Sequence, residues 1–94
     1  MSEIRIDAAT AHKLVEQGAK ILDVRTPEEF AAGAKPGAIN IPVQVIANEI
    51  AAAANPDDTL VIYCKVGGRA DVAAQILRSM GYAKSFNVGG LYDW

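Results

Sequence analysis

Residues 60–80, LVIYCKVGGRADVAAQILRSM, form the stretch around which the rest of the chain can be organised. The segment Leu60–Tyr63 is a short apolar run rich in β-branched and aromatic side chains, which predicts a buried strand of a parallel sheet. Across residues 70–80 apolar side chains recur at helical spacing, and Gly81 then ends the predicted helix. Cys64, the only cysteine of the chain, therefore lies between a buried strand and a helix N-terminus.

The loop that follows this cysteine indicates a reactive thiol. Gly67 and Gly68 allow the backbone to turn so that successive N–H groups face one point. The cations Lys65 and Arg69, together with the helix N-terminus, would stabilise Cys64 as a thiolate, which is the nucleophilic form. A lone cysteine at a strand end is more often a small buried apolar residue, but the combination favours catalysis. The loop by itself leaves two chemistries open, sulfur transfer and phosphate-ester hydrolysis.

Composition limits the class of protein. A chain of 94 residues predicts one domain spanning residues 1–94, and a hydrophobic content of 51% with 21% charged residues is typical of a soluble globular protein. The net charge of −2 argues against a nucleic-acid partner or an acidic membrane surface, and no apolar run is long enough to span a membrane. One cysteine excludes an internal disulfide and a multi-thiolate metal site. Since a solitary reactive thiol fits a reducing compartment and no export signal is visible, we expect a cytoplasmic location.

Short apolar segments alternate with helical patterns along the chain. Ile4 and Ile6 alternate with charged residues, which predicts a short edge strand. The other predicted elements are helices at residues 8–17 and 43–54 and strands at residues 21–24, 38–41 and 85–88. Strands that alternate with helices in this way are typical of an α/β architecture with a mainly parallel sheet.

The second buried strand contains an acidic residue, Asp23, inside an apolar run. A buried carboxylate is costly unless it is paired or hydrogen-bonded. Arg25 follows two positions later and is the natural partner. The pair could shape the floor of an active site, but we favour a structural role for it.

A helix start follows directly after this pair. Thr26 can cap the helix, and Pro27 suits the first helical position. Glu29 stands three positions after Thr26 and completes the pattern of a capping box. The sequence therefore predicts a helix N-terminus at Thr26.

Three parts of the chain together resemble the rhodanese family of sulfurtransferases in its single-domain form. They are residues 22–30 (LDVRTPEEF) continued by 36–42 (PGAINIP), the loop from Cys64 to Arg69, and residues 87–90 (NVGG) with Trp94. The resemblance implies a single rhodanese-like domain with a five-stranded, mainly parallel sheet and helices on both faces. It also implies that Cys64 carries the transferred sulfur as a persulfide.

This resemblance implies a thiosulfate sulfurtransferase that works in two steps. Cys64 would take a sulfur atom from a small anionic donor such as thiosulfate, and cyanide or a thiol would then remove it. The residues that bind the donor and the persulfide would be those of the loop, namely Lys65, Val66, Gly67, Gly68 and Arg69. The reaction requires no metal and no organic cofactor, because the chemistry belongs to the sulfur atom.

Other functions compete with this interpretation. A persulfide carrier or binding module would hand its sulfur to a partner protein instead of a small acceptor. Phosphatases related to rhodaneses place an arginine six positions after the cysteine, where this chain has Ala70, and Arg69 comes one position earlier. The smaller loop suits a sulfane sulfur better than a tetrahedral oxyanion. A Cys–His hydrolase is a weaker interpretation, since the only histidine, His12, lies on a predicted surface helix.

Overall fold

The computed structural model describes residues 3–94, and a parallel sheet of four strands forms its centre. The strands are β1 (Lys20–Asp23), β2 (Ile39–Asn40), β3 (Leu60–Cys64) and β4 (Ser85–Gly90). Their spatial order is β2-β1-β3-β4, and all three neighbouring pairs are parallel. Every residue of β3 is buried, as expected for an interior strand of a parallel sheet. The predicted α/β architecture is confirmed.

The number of strands differs from the expected five. Around Arg5 the chain makes an isolated parallel bridge with Asn87 of β4, through hydrogen bonds from the Ile6 N–H to the Asn87 oxygen and from the Asn87 N–H to the Ile4 oxygen. Asp7 then caps the first helix by accepting a hydrogen bond from the Thr10 N–H. Because the helix begins so early, the predicted edge strand is reduced to a single bridge.

Helices connect the strands. They are α1 (Ala8–Glu16), α2 (Pro27–Ala32), α3 (Ile46–Ala53) and α4 (Gly68–Ser79). A 3-10 helix at Val43–Val45 precedes α3, so the single helix expected over residues 43–54 is two shorter elements. Short 3-10 segments are common at helix ends. Within residues 3–94, none of these helices is long and apolar enough to cross a membrane.

Two apolar clusters pack on opposite faces of the sheet. One face, covered by α3 and α4, buries Leu60, Ile62 and Cys64 of β3. The other face, covered by α1, buries Val61 and Tyr63. Successive side chains of a strand point to opposite faces, so this alternation places the Cys64 side chain on the side of α4.

The start of α2 has the predicted capping box. The Thr26 hydroxyl accepts a hydrogen bond from the Glu29 N–H at 3.2 Å, and the Glu29 carboxylate accepts one from the Thr26 N–H at 3.1 Å. Pro27 occupies the first turn and Gly33 ends the helix. These reciprocal bonds fix the Glu29 side chain in place, which matters for the site described below.

Candidate active site

Cys64 ends β3 at the edge of the sheet where open α/β folds place their sites. Its side chain is almost fully buried, with 1% of the residue exposed. The Sγ atom accepts a hydrogen bond from the Gly67 N–H at 2.9 Å. The predicted proximity of the thiol, the glycine-containing loop and the start of α4 is confirmed, and it gives the sulfur a backbone donor aimed directly at it.

Only one of the two loop glycines is required by the backbone. Gly67 has a φ angle of +105°, and a Cβ atom there would lie 3.4 Å from the Gly89 Cα atom. Gly68 has no positive φ angle, and a Cβ atom there would meet nothing within 4 Å. The left-handed conformation that turns the N–H toward Cys64 therefore depends on Gly67. The sequence analysis gave the two glycines the same role, whereas the structure shows that only Gly67 has a backbone conformation that favours glycine.

Asn87 of β4 holds the loop in place through hydrogen bonds of its side chain, a role that the sequence analysis missed. Its Nδ2 group donates to the Gly67 carbonyl oxygen at 3.0 Å, and its Oδ1 atom accepts from the Gly89 N–H at 2.8 Å. Asn87 is buried, and a buried amide must find such partners. The signals in the sequence were the polar residue between Phe86 and Val88 and its place in the NVGG motif.

The end of β4 approaches the loop closely. The Leu91 N–H donates to the Cys64 carbonyl oxygen at 2.8 Å, and a Cβ atom at Gly90 would overlap with the Lys65 carbonyl oxygen. Glycine at position 90 is therefore needed for this contact. The pairing of β3 with β4 also shifts register between Ile62 and Tyr63. These features hold the backbone on both sides of the thiol.

The two loop cations have different surroundings. Arg69 donates two hydrogen bonds to the Glu29 carboxylate, at 2.8 and 3.1 Å. Lys65 is exposed, and its side chain makes no hydrogen bond or ion pair within the described part of the chain. It borders a cavity of about 200 Å³ together with Arg25, Glu29 and Tyr92. The two cations therefore have different neighbours, although the sequence analysis predicted that both bind the sulfur donor.

The Arg69–Glu29 pair changes the electrostatics near the thiol. The hydrogen bonds from Arg69, with smaller contributions from Thr26, lower the pKa of Glu29 from 4.5 to about 2. The pKa of Arg69 is raised chiefly by its hydrogen bonds to Glu29, and to a smaller extent by the nearby Cys64. The charge of Arg69 is therefore balanced by a carboxylate that the helix cap holds in place. Sequence reasoning assigned Glu29 only to the helix cap.

The predicted pairing of Asp23 with Arg25 is confirmed. The guanidinium donates to the carboxylate through Nε at 3.0 and 3.1 Å and through Nη2 at 2.6 Å. Both side chains are buried, and Nη2 also donates to the Gly33 carbonyl oxygen at 2.7 Å. Hydrogen bonding to Asp23 raises the pKa of Arg25. This pair joins the end of β1 to the end of α2, in keeping with a structural role.

A second cavity opens directly over the thiol. It has a volume of about 420 Å³ and is lined by the side chains or backbone of Val43, Cys64, Val66, Gly68, Arg69 and Val72. Of the five predicted loop residues, Val66, Gly68 and Arg69 line this cavity, whereas Gly67 donates to the thiol and Lys65 borders the smaller cavity. The sequence did not predict the valines from the 3-10 helix and α4. Within residues 3–94, no group of three or more histidine, cysteine, aspartate or glutamate side chains is placed to hold a metal ion.

Comparison with known proteins agrees with this geometry. Residues 7–94 match the family model of the rhodanese-like domain. The chain is 41% identical over 73 residues to thiosulfate sulfurtransferase PspE of Escherichia coli, a match that covers 77% of this chain and 70% of that protein. It is 38% identical over 90 residues to the human thiosulfate:glutathione sulfurtransferase, covering 81% of this chain and 78% of that protein.

A solved structure shows the same fold. The human single-domain sulfurtransferase TSTD1 superposes with a TM-score of 0.82 and 33% sequence identity, covering 97% of this chain and 93% of that chain. The family resemblance seen in the sequence is therefore confirmed. The chain belongs to the family of rhodanese-like domains.

Proposed function

We propose that this protein is a sulfurtransferase that carries the transferred sulfur on Cys64 as a persulfide. The observation that carries the proposal is the position of the Cys64 sulfur, which lies at the base of an open cavity with the Gly67 N–H donating to it at 2.9 Å. Sγ is the atom that attacks the sulfur donor and that leaves when the sulfur is removed again, and a fixed backbone donor meets it there without reorganisation during the reaction.

The reaction we propose has two steps. The Cys64 thiolate attacks the outer sulfur of thiosulfate, a new S–S bond forms, and sulfite leaves with the electrons of the S–S bond that breaks. A thiolate or cyanide then attacks the outer sulfur of the persulfide and regenerates the Cys64 thiolate. Each step conserves charge and requires no external oxidant. The names of the relatives, which include two thiosulfate sulfurtransferases, support this donor class.

A carrier function shares the first step and differs in the second. In that case a partner protein, in place of a small thiol, accepts the sulfur from Cys64. The exposed position of Lys65 at the edge of the loop is compatible with either acceptor. The two functions are separated by measuring whether the persulfide turns over with small thiols alone.

The phosphatase alternative has less support. A phosphate needs several N–H donors and an arginine that reaches around its oxygens. In this chain Ala70 stands where that arginine would be, and Arg69 is engaged by Glu29 through two hydrogen bonds. His12, the residue on which a Cys–His hydrolase would depend, instead lies 5.5 Å from Trp94 between ring centroids.

Replacing the cysteine tests the proposal. We expect Cys64→Ser to keep its fold and to lose thiosulfate:cyanide sulfur transfer by roughly a thousandfold or more, since a hydroxyl cannot form the persulfide. Circular dichroism of the variant provides the control for folding. A folded variant that retains a large fraction of the native rate would contradict the mechanism.

A cytoplasmic location belongs to the same proposal, because a lone reactive thiol persists best in a reducing compartment.

A further inference from the structure

The side chain of Arg5 lies against the backbone of two glycines next to the thiol. A Cβ atom at Gly89 would lie 2.6 Å from Nη2 and 3.3 Å from Cζ of Arg5. A Cβ atom at Gly67 would lie 3.4 Å from Nη1 of the same side chain. The guanidinium is therefore packed on the backbone of both residues, and at Gly89 the absence of a side chain makes this close approach possible.

Two features hold Arg5 at this position. Its backbone forms the isolated parallel bridge with Asn87. The carboxylate of Asp93 lies at the same glycine, because its Oδ2 atom would also lie 2.6 Å from a Cβ atom at Gly89, and the Gly90 N–H fixes it with a hydrogen bond of 2.6 Å. Within residues 3–94 the Arg5 side chain has no hydrogen bond or ion pair of its own. Packing on the glycines and attraction to this carboxylate are thus the contacts that keep the guanidinium in place.

Gly67 is the residue through which Arg5 can influence the thiol. Its N–H donates to Cys64 Sγ at 2.9 Å, and its carbonyl oxygen accepts a hydrogen bond from Asn87 Nδ2 at 3.0 Å. The Cα atom has no such bond, and a glycine samples positive and negative φ angles readily. Contact on that side restricts the rotation that would turn the N–H away from the sulfur. The guanidinium of Arg5 and the backbone of Gly89 provide this contact.

The charge of Arg5 is less compensated than that of Arg69. Arg69 donates two hydrogen bonds to Glu29. Within the described residues Arg5 makes no ion pair, although the carboxylate of Asp93 is near it. A positive charge packed on Gly67 favours negative charge on the sulfur that the N–H of this residue meets. Both the packing and the charge of Arg5 therefore act in the same direction.

Resting on the sulfur transfer proposed above, we infer that Arg5 is a positioning residue for this reaction. Arg5 does not line the cavity over the thiol and instead borders another cavity of about 520 Å³ together with Asp93. It acts through Gly67, by keeping the N–H directed at Cys64 Sγ and by placing a positive charge beside that residue. Both matter because Sγ carries negative charge before the first step and after the second.

Alkylation of Cys64 by iodoacetamide tests this role without requiring sulfur transfer. Iodoacetamide is uncharged, so its rate does not depend on the attraction of an anionic donor. We expect Arg5→Met, which keeps a long side chain and removes the cation, to slow alkylation at pH 7 about tenfold, the scale of one hydrogen bond to a charged group. The pH dependence of the rate should shift to higher pH, and kcat/KM for thiosulfate:cyanide transfer should fall as well.

Three further variants separate the role of Arg5 from a loss of charge or of structure. Arg5→Lys should stay within about threefold of the native rate, because the positive charge remains although the planar guanidinium does not. Asp93→Asn keeps an acceptor for the Gly90 N–H and removes the carboxylate charge, so it should slow alkylation about twofold to threefold. Lys13→Met on α1 also removes an exposed cation, is the matched control, and should leave the rate unchanged. Circular dichroism checks that each variant is folded.

The outcomes distinguish this inference from the proposed function. If Arg5→Met is alkylated as fast as the native protein, or if Arg5→Lys or Lys13→Met is slowed as much as Arg5→Met, the inference is wrong, although sulfur transfer stands. Should Arg5→Met not fold, an unchanged rate in Asp93→Asn contradicts the inference. If the native protein transfers no sulfur while alkylation follows the expected order, the proposed function is wrong and the positioning of the thiol by Arg5 stands.

Discussion

Two arginine–carboxylate pairs lie near the end of β1, and they differ in how much water reaches them. The side chains of Arg25 and Asp23 are 6% and 0% exposed, whereas those of Arg69 and Glu29 are 35% and 29% exposed. Both pairs have the two-pronged geometry that arginine forms with carboxylates. The buried pair joins two structural elements, and the arginine of the half-exposed pair lines the same cavity as Cys64. The same pairing therefore joins structural elements in one place and balances the charge of a residue that lines the cavity over the thiol in the other.

Burial explains why the roles differ. A charge in the interior keeps its partner because separation would leave an unpaired ion in a medium of low polarity. The guanidinium of Arg25 has further contacts with the Gly33 carbonyl oxygen and, at 5.6 Å, with the ring of Tyr63. The half-exposed pair can exchange its hydrogen bonds for water at small cost. The half-exposed pair is therefore expected to contribute less to stability than the buried pair.

The largest expected effect comes from breaking the buried pair. We expect Asp23→Ala to reduce the free energy of unfolding by about 3–5 kcal/mol, because it leaves the Arg25 guanidinium buried without its carboxylate. Urea denaturation followed by circular dichroism measures this loss. A loss of less than about 1 kcal/mol would place the pair in the class of surface salt bridges and remove the contrast with Glu29.

A double variant serves as its control. Asp23→Leu combined with Arg25→Met removes both charges and keeps apolar bulk in the interior, so it should recover a large part of the stability lost by Asp23→Ala. The double variant also provides a folded protein if the single variant fails to fold. If it is as unstable as the single variant, the cost does not arise from an unpaired charge.

A smaller effect, with a defined pH dependence, is expected from the half-exposed pair. Because the pKa of Glu29 falls from 4.5 to about 2 on folding, its ionised form contributes stability that is fully present above about pH 5. That contribution is lost as the pH falls from 4.5 toward 2. The free energy of unfolding of the native protein minus that of Glu29→Gln should therefore be constant near neutral pH and decline over this acidic range.

Urea denaturation of both proteins between pH 2 and pH 7, at about the same ionic strength, measures this difference. Taking the difference removes the contributions of Asp7 and Asp58, whose pKa values are also lowered by hydrogen bonds. The loss should remain smaller than that caused by Asp23→Ala, since solvent screens the Glu29–Arg69 pair. A difference that does not change with pH would show that neither Arg69 nor the Thr26 cap favours the ionised form of Glu29.

The features that the sequence predicted well are local ones. The capping box of Thr26 and Glu29 needs only four consecutive residues, and the buried strand before Cys64 is visible in its composition. The turn at Gly67 and the start of the helix after it also lie within a few residues of Cys64. These interactions form between residues that are already close together, so a pattern of a few residues is enough to indicate them.

The missed features depend on residues that are distant in the chain. Arg69 meets Glu29 across 40 positions, and Asn87 reaches Gly67 across 20. Nothing near Glu29 in the sequence indicates a second partner for it. The fifth strand was expected from the alternation at Ile4 and Ile6, but alternation does not show how many ladder bonds form before a helix begins. Each of these features depends on contacts between residues that are far apart in the sequence.

The central claim is that Cys64 carries the sulfur, and the intact mass of the protein tests it most directly. Incubation of the native protein with excess thiosulfate, followed by removal of the donor, should add the mass of one sulfur atom, and cyanide should reverse the change. Cys64→Ser treated in the same way should gain nothing. A native protein that never acquires sulfur from thiosulfate, or a serine variant that does, would contradict a persulfide on Cys64.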